Sequence, residues 1–125
     1  MLPFLIELKA GASVSEQIVY AVKKAVISGT LPAGERFPSV RVLSQELRVN
    51  PNTAHKAVAI LVVEGLLEVH PGIGTVVAAH RTTSRQERGS LLGEQAERLV
   101  VEAKKLDLGL DDVIGAVKQH WSDLS

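Results

Sequence analysis

The chain has 125 residues, with no cysteine and with 14 basic against 14 acidic residues, so its formal net charge is zero. At this length we expect one compact domain with an appendage and no separate ligand-binding domain. The absence of cysteine excludes a disulfide framework and a thiolate nucleophile, and the lack of a long apolar run predicts a cytoplasmic protein without signal peptide or membrane span.

The first predicted elements are a short edge strand and a helix. Phe4 and Ile6 alternate with Leu5 and Glu7, and this spacing of two predicts the strand. Ser13 and Glu16 have capping-box spacing, which predicts a helix start. The apolar residues of the following turns recur at helical spacing: Ile18, Ala21, Val22 and Ala25. We therefore expect a helix that ends near Ser28, with Lys23 on its outer, solvent-facing side.

Two further helices, separated by a tight turn, are predicted between Phe37 and Gly65. The first has an apolar side formed by Val40, Leu43, Leu47 and Val49. Asn50 is a good N-cap for the second helix, and Pro51 suits its first position, where a missing N–H costs nothing. A core stripe of Ala54, Ala57, Val58 and Leu61 leaves an outer face of Asn52, His55, Lys56 and Ala59.

A hairpin is predicted after the second of these helices. Its arms contain Leu67 and Val69, then Thr75 and Val77, and the turn is Pro71-Gly72-Ile73-Gly74. His70 lies near the tip, where solvent is a more common neighbour than a phosphate. Helix, turn, helix and hairpin is the order of a winged helix-turn-helix, so we expect a mainly α fold with a small β-hairpin.

The start of the second helix of this motif has the chemistry to approach nucleic acid. Its first turn and a half is crowded with Asn50, Asn52, Thr53, His55 and Lys56, and no acidic residue lies between Leu47 and Val63. Helix N-termini suit phosphate, and recognition helices read base edges from their N-terminal residues. The simpler interpretation of Asn50 is that it only caps the helix. A zero net charge argues against DNA binding, but residues 36–56 contain four basic residues and one acidic residue, a local charge of 4 − 1 = +3.

The C-terminal part of the chain is predicted to be a linker followed by two helices. Residues 78–89 lose the apolar period, and their arginines are either solvated linker residues or contacts to a sugar-phosphate backbone: Arg81, Arg85 and Arg88. Ser84 and Glu87 have capping-box spacing and predict the start of a long helix that runs to Leu106. Asp111 is the predicted N-cap of a second helix.

These two helices carry apolar stripes with heptad-like spacing. The stripes are Leu92, Ala96, Leu99, Ala103 and Leu106, then Leu110, Ile114, Val117, Trp121 and Leu124. A pair of helices this small cannot bury both stripes by packing only on each other. We expect a second copy of the chain to pack on these stripes. The alternative is that they pack on the winged helix of the same chain.

These motifs together resemble the GntR family of bacterial transcriptional regulators, and within it the small YtrA-like branch. The matching motifs include Ile27-Ser28-Gly29-Thr30-Leu31-Pro32-Ala33-Gly34, Pro38-Ser39-Val40-Arg41, Val49-Asn50-Pro51-Asn52-Thr53, Glu64-Gly65-Leu66 and Gly72-Ile73-Gly74-Thr75. The resemblance implies a DNA-binding domain over residues 1–78 and a linker with a two-helix dimerisation segment over residues 79–125. It also implies a homodimer on a palindromic double-stranded DNA operator.

The resemblance also implies which residues contact DNA. Arg41 matches a family arginine that reaches a base or a phosphate, and Gly72 matches the wing tip near the minor groove. Pro51 and His55 stand where many relatives have arginines, so the base preference of those relatives does not carry over. The full set of predicted DNA-binding residues is Arg41, Asn50, Pro51, Asn52, Thr53, His55, Lys56, Gly72 and Gly74.

The sequence thus predicts a sequence-specific regulator, a repressor whose target, by resemblance to its branch, is an operon for an ATP-driven transporter. The alternative is a winged-helix module that binds proteins and not DNA, which the neutral charge and the valines at 62 and 63 favour. An enzyme is not expected, because no histidine has metal-ligand spacing with carboxylates and no Gly-rich phosphate loop follows a strand. No cofactor or metal is predicted. A small-molecule effector of unspecified identity stays open, bound between the C-terminal helices and the winged helix.

Overall fold

The computed structural model describes residues 1–79 and 84–125, and the chain divides into two compact units, Met1–Arg81 and Thr82–Ser125. The elements of the first unit are α1 (Val14–Ile27), α2 (Val40–Leu47), α3 (Pro51–Val63), β1 (Leu67–His70) and β2 (Gly74–Val77). Those of the second are α4 (Arg85–Ser90), a π-helical segment (Leu91–Gln95), α5 (Ala96–Lys105) and α6 (Leu110–Asp123). The predicted mainly helical fold with one antiparallel hairpin is confirmed. Arg81, one of the three predicted linker arginines, lies outside the described residues.

The N-caps of α1, α3 and α4 are the residues that the sequence predicts. Ser13 Oγ accepts from the Glu16 N–H at 3.3 Å, and Ser84 Oγ does the same for Glu87 at 3.0 Å. Asn50 caps α3, with Pro51 as its first residue. Each cap gives a partner to an N–H that the first turn of a helix leaves unpaired.

The predicted cap of the last helix, Asp111, is wrong. Gly109 is the N-cap of α6, and the carboxylate that meets it is that of Asp112, whose Oδ2 accepts from the Gly109 N–H at 2.8 Å. The helix starts at Leu110, one residue before Asp111, which therefore lies inside the first turn. The first long helix also differs slightly from its prediction, because it ends at Lys105 and contains the π-helical segment.

The core of the first unit forms where α1 and α2 pack on α3 and the hairpin closes one end. Its largest fully buried side chains are Ile18, Val22, Leu31, Leu43, Leu61, Leu67 and Val77. The predicted core stripe of α3 is confirmed, since Ala54, Ala57, Val58 and Leu61 are all buried. Of the two valines at its end, Val62 is partly buried against the core and Val63 is 87% exposed. The core thus fixes which side of α3 faces outward.

Residues 4–7 do not form the predicted strand. Phe4 is buried, with its ring stacked on that of Phe37 at a centroid distance of 5.9 Å, while Leu5 is 95% exposed. The alternation of buried and exposed residues is present, but it arises because Phe4 and Ile6 pack on the core while Leu5 and Glu7 face solvent. Beyond this segment the backbone of Lys9 bonds to the side chain of Gln17, not to another strand.

The turn between α2 and α3 contains a residue in the left-handed conformation. Arg48 has φ 55° and ψ 46°, and its N–H bonds to the carbonyls of Ser44 and Gln45. The Val49 N–H also bonds to the Ser44 carbonyl, at 3.0 Å. This is the Schellman pattern, in which glycine is the usual left-handed residue. A side chain in that conformation costs roughly 1–2 kcal/mol.

A short segment before α2 joins the hairpin to the start of that helix. The Phe37 N–H donates to the Thr75 carbonyl at 2.8 Å, and two more backbone bonds link residues 34–35 to Val77. Ser39 then caps α2, its Oγ accepting from the Val42 N–H at 3.2 Å. The segment that leads into α2 is therefore held beside the hairpin by backbone hydrogen bonds.

The second unit is helical and has very little core of its own. Of its described residues, Ala103 alone is buried. The large exposed hydrophobic residues are Leu91, Leu92, Leu99, Val100, Val101, Leu106, Leu108, Leu110, Ile114, Val117 and Trp121. An apolar crevice of about 320 Å³ opens between α5 and α6. Among the helices of the described residues, none combines the length and apolar character that a membrane crossing requires.

Candidate nucleic-acid interface

The predicted recognition residues lie together at the start of α3 and face solvent. Asn50, Pro51, Asn52, His55 and Lys56 are exposed, and Thr53 is half-buried. Asn50 Oδ1 accepts from the Asn52 N–H at 2.8 Å, so the oxygen of the amide serves the cap. The amide nitrogen has no acceptor among the described residues and can donate outward. Capping and an external contact therefore use different atoms of Asn50.

Arg41 lies in the first turn of α2, at the opposite end of that helix from Asn50. It is exposed, and among residues 1–79 and 84–125 nothing forms a hydrogen bond or ion pair with its guanidinium. With eight residues, α2 is about 12 Å long, and Arg41 and the turn to α3 lie at its two ends. Four residues before Arg41 in the chain, the Phe37 N–H donates to the Thr75 carbonyl of β2, so the segment that leads into α2 is joined to the wing.

The wing carries two glycines that its backbone conformation requires. Gly72 has φ 80° and Gly74 φ 108°, values that disfavour any other residue, and a β-carbon at either would meet no atom within 4 Å. The turn comprises residues 71–73, since Gly74 already begins β2 and pairs with His70. Backbone without side chains is thus exposed at Gly72 and Gly74, on either side of the half-exposed Ile73, and can approach a flat or convex partner.

His70 has a partner within the wing. Its Nε2 lies 2.9 Å from Oε2 of Glu68, two residues earlier on β1. Lys23, predicted to face solvent, is likewise paired, with its Nζ 2.8 Å from Oε1 of Glu64. Neither side chain was among the predicted site residues, and both are engaged in contacts within the unit.

The exposed charge around the helix-turn-helix is positive. Its basic residues are Arg36, Arg41, Arg48 and Lys56, all exposed. The single acidic residue of the segment is Glu46, and its Oε1 lies 2.6 Å from the amino nitrogen of Met1. The local excess predicted from the sequence therefore lies on the surface, with its one carboxylate already paired.

Arg48 was not among the predicted site residues. It lies in the turn directly before the cap of α3, and its side chain is exposed. The sequence does hold one clue, because a tight helix-turn-helix usually needs a left-handed residue and no glycine stands between Leu47 and Asn50. A residue with a side chain had to take that conformation.

The described residues contain no group of three or more His, Asp or Glu side chains arranged to hold a metal ion. His55 and His120 are exposed and His70 pairs with Glu68, while His80 lies outside the described residues. The polar groups that converge in the first unit are instead hydrogen-bond donors, short amides and guanidinium groups. Groups of this kind bind phosphates and base edges.

Comparison with known proteins connects this surface to a family. The family model described as bacterial regulatory proteins, gntR family, matches residues 14–77, which run from α1 to the end of β2. The HTH-type transcriptional repressor YtrA of Bacillus subtilis (strain 168) is 28% identical over 120 residues, covering 95% of this chain and 92% of its own.

Two solved structures share the fold over most of the chain. A transcriptional antiterminator from Listeria monocytogenes EGD-e superposes with a TM-score of 0.86 at 24% identity, covering 97% of this chain and 91% of that one. YtrA from Sulfolobus acidocaldarius, a GntR-family transcription factor, gives a TM-score of 0.59 at 26% identity, covering 75% and 96%.

Proposed function

Since this chain belongs to the GntR family of bacterial regulatory proteins, we propose that it is a sequence-specific DNA-binding repressor that acts as a homodimer on a palindromic operator. That it is a helix-turn-helix transcriptional regulator follows from the family. The proposal of repression is supported by the similarity to a Bacillus protein named as a repressor. The resemblance to the YtrA-like branch also leads us to propose a transporter operon as the target.

The observation that carries the proposal is the exposed, acid-free start of α3. Asn50, Asn52 and His55 present amide and imidazole groups to base edges, Pro51 fixes where the helix begins, and Thr53 and Lys56 contact the flanking backbone. The N-terminal turn of a recognition helix is the part that reads the major groove. Arg41 adds a contact from α2, and the bare backbone at Gly72 and Gly74 lets the wing lie against the sugar-phosphate chain.

The proposal of a homodimer rests on the second unit. Apolar side chains on every helical turn of α5 and α6 are exposed, and only Ala103 is buried among the described residues there. A unit with so little core needs an external apolar surface to be stable. A two-fold dimer supplies one, because the same patch on each copy covers the other. Two recognition helices joined in this way would lie about 34–36 Å apart, one turn of duplex.

A second candidate function is a winged-helix module that binds a protein. The observation in its favour is Val63, which is 87% exposed at the end of α3. Salt dependence separates the two functions, because binding to DNA releases counterions from every neutralised phosphate. With four or more phosphate contacts per dimer, affinity for a random-sequence duplex should fall about 100-fold between 50 and 200 mM salt. Fluorescence anisotropy with a labelled duplex measures this, and binding that is absent or insensitive to salt would favour the protein-binding module.

Asn50→Asp tests whether Asn50 contacts DNA beyond its role as a cap. Aspartate caps a helix as well as asparagine does, so we expect an unchanged melting temperature. The substitution replaces the outward N–H donor of the amide with a carboxylate oxygen, which repels base acceptors and phosphates alike, so we expect operator affinity to fall by about tenfold or more, roughly 1.4 kcal/mol. Asn50→Ala is the matched control, because it removes the cap and lowers stability by about 1 kcal/mol. If Asn50→Asp binds the operator like the natural protein, Asn50 is only a cap.

A further inference from the structure

We propose that Arg48 is an additional DNA contact, whose guanidinium binds a phosphate next to the bases that α3 reads. This inference rests on the proposed function and extends its contact surface to a residue in the turn. Its first support is conformational. The turn requires a left-handed residue at this position, with φ 55°, and glycine would take that conformation without strain.

Residues other than glycine in this conformation persist where the surrounding structure holds them there, and they cluster at functional sites. Arg48 contributes nothing visible to the packing of its unit. It is exposed, and among the described parts of the chain no acceptor bonds to its guanidinium. Its backbone N–H bonds to two carbonyls in the last turns of α2, but those bonds would be the same for any residue. The fold therefore uses the backbone of Arg48 and leaves its charge free for an external partner.

The electrostatic setting identifies that partner as an anion on the duplex. Arg48 stands two residues before the cap Asn50, so its charge adds to the partial positive charge at the start of α3. The nearest acidic residue in the sequence, Glu46, is already paired with the amino group of Met1 at 2.6 Å. No other carboxylate occurs until Glu64. A flexible cation beside the first turn of a recognition helix is suited to a phosphate, which fixes the position of the protein without reading sequence.

Three substitutions separate the charge of Arg48 from its strain. Arg48→Gly removes both, so we expect the melting temperature to rise by about 3–6 °C while operator binding weakens. Arg48→Ala removes the charge and keeps the strain, so it should bind as weakly as Arg48→Gly without the gain in stability. Arg48→Lys keeps the charge and should bind much like the natural protein. Lys9→Ala, which removes an exposed cation from the N-terminal segment, is the control for a general loss of charge.

Binding is measured by anisotropy on an operator duplex and a random duplex over a range of salt concentrations. A dimer of Arg48→Gly or Arg48→Ala loses two phosphate contacts. The slope of log K against log[salt] should therefore become less negative by about 1.8. At 0.1 M salt the affinity should fall about 60-fold, and by the same factor on both duplexes, because a phosphate contact is independent of sequence.

Each other outcome counts against the inference. An unchanged salt slope in Arg48→Gly and Arg48→Ala overturns it, as does a loss of affinity confined to the operator, which would indicate a base contact. An Arg48→Gly protein that melts lower than the natural one would show that the arginine stabilises the fold. If the natural protein binds neither duplex, the proposed function itself fails, and that result is distinct because it does not depend on any variant.

Discussion

Arg41→Ala is expected to abolish operator binding in a gel-shift assay while the protein stays folded and dimeric. A good arginine contact to a base is worth about 1–3 kcal/mol, and a dimer loses two of them. The combined loss of about 2–6 kcal/mol corresponds to a fall in affinity of roughly 30-fold to more than 10⁴-fold. Arg41 is exposed, and its guanidinium has no partner in the described residues, so the substitution removes little from the fold itself.

The control for this experiment is Lys24→Ala. Lys24 is an exposed cation on α1, so its removal lowers the net charge of the protein by the same amount. We expect that variant to bind within about threefold of the natural protein, because isolated charges far from the duplex are screened by salt. Circular dichroism and light scattering confirm the fold and the dimer for both variants. Retained binding by Arg41→Ala would remove α2 from the proposed interface and leave α3 and the wing to account for it.

Ile114→Lys is expected to convert the dimer to a monomer. Ile114 lies on the exposed stripe of α6 that includes Val117 and Trp121, and it is 40% exposed in the single chain. If that stripe forms the dimer interface, each copy loses about 1.5–3 kcal/mol of apolar burial. Two copies then lose about 3–6 kcal/mol, which raises the dimer dissociation constant by about 10²- to 10⁴-fold.

Sedimentation equilibrium measures that constant directly, and the single tryptophan of the chain gives a second reading. Trp121 is 79% exposed in the isolated chain, so its emission should shift to shorter wavelength when the natural protein dimerises. Ile114→Lys should keep the emission of an exposed indole at all concentrations. Ser122→Lys is the control, because it adds the same charge to α6 outside the stripe. A natural protein that sediments as a monomer, or a variant that dimerises as tightly, would contradict the proposed interface.

The features that the sequence predicted well are those set by neighbouring residues. Asn50 and Pro51 determine the start of α3 between them, so the outward face that follows from it was predicted correctly. The same logic failed at Asp111, because Gly109 and Asp111 both permit a helix start and only the reach of the Asp112 side chain back to the Gly109 N–H distinguishes them. The position of the helix start therefore depends on a contact between residues three apart. The capping preferences of single residues do not include such a contact.

Features that depend on a distant partner were predicted less well. The alternation of residues 4–7 is what a strand would show, yet strand formation requires a neighbour for its backbone, and the stacking of Phe4 on Phe37 produces the same pattern without one. The conformation of Arg48 follows from how tightly α2 and α3 must be joined, which is a property of the packed pair. Residue identities alone placed it among the basic residues, and the missing glycine indicates that some residue of the turn is left-handed without showing which one.

The three backbone bonds between residues 34–37 and β2 have a mechanical consequence for how DNA is read. They tie β2 of the hairpin to the segment that leads into α2, so Arg41 and the wing are connected through only a few residues of backbone. In the proposed complex the helix-turn-helix and the wing would therefore meet a half-site as one unit, with a nearly constant distance between their contacts on the duplex. An operator with one extra base pair between those contacts would then be bound only if the duplex itself twists or bends, at an energy that depends on its sequence.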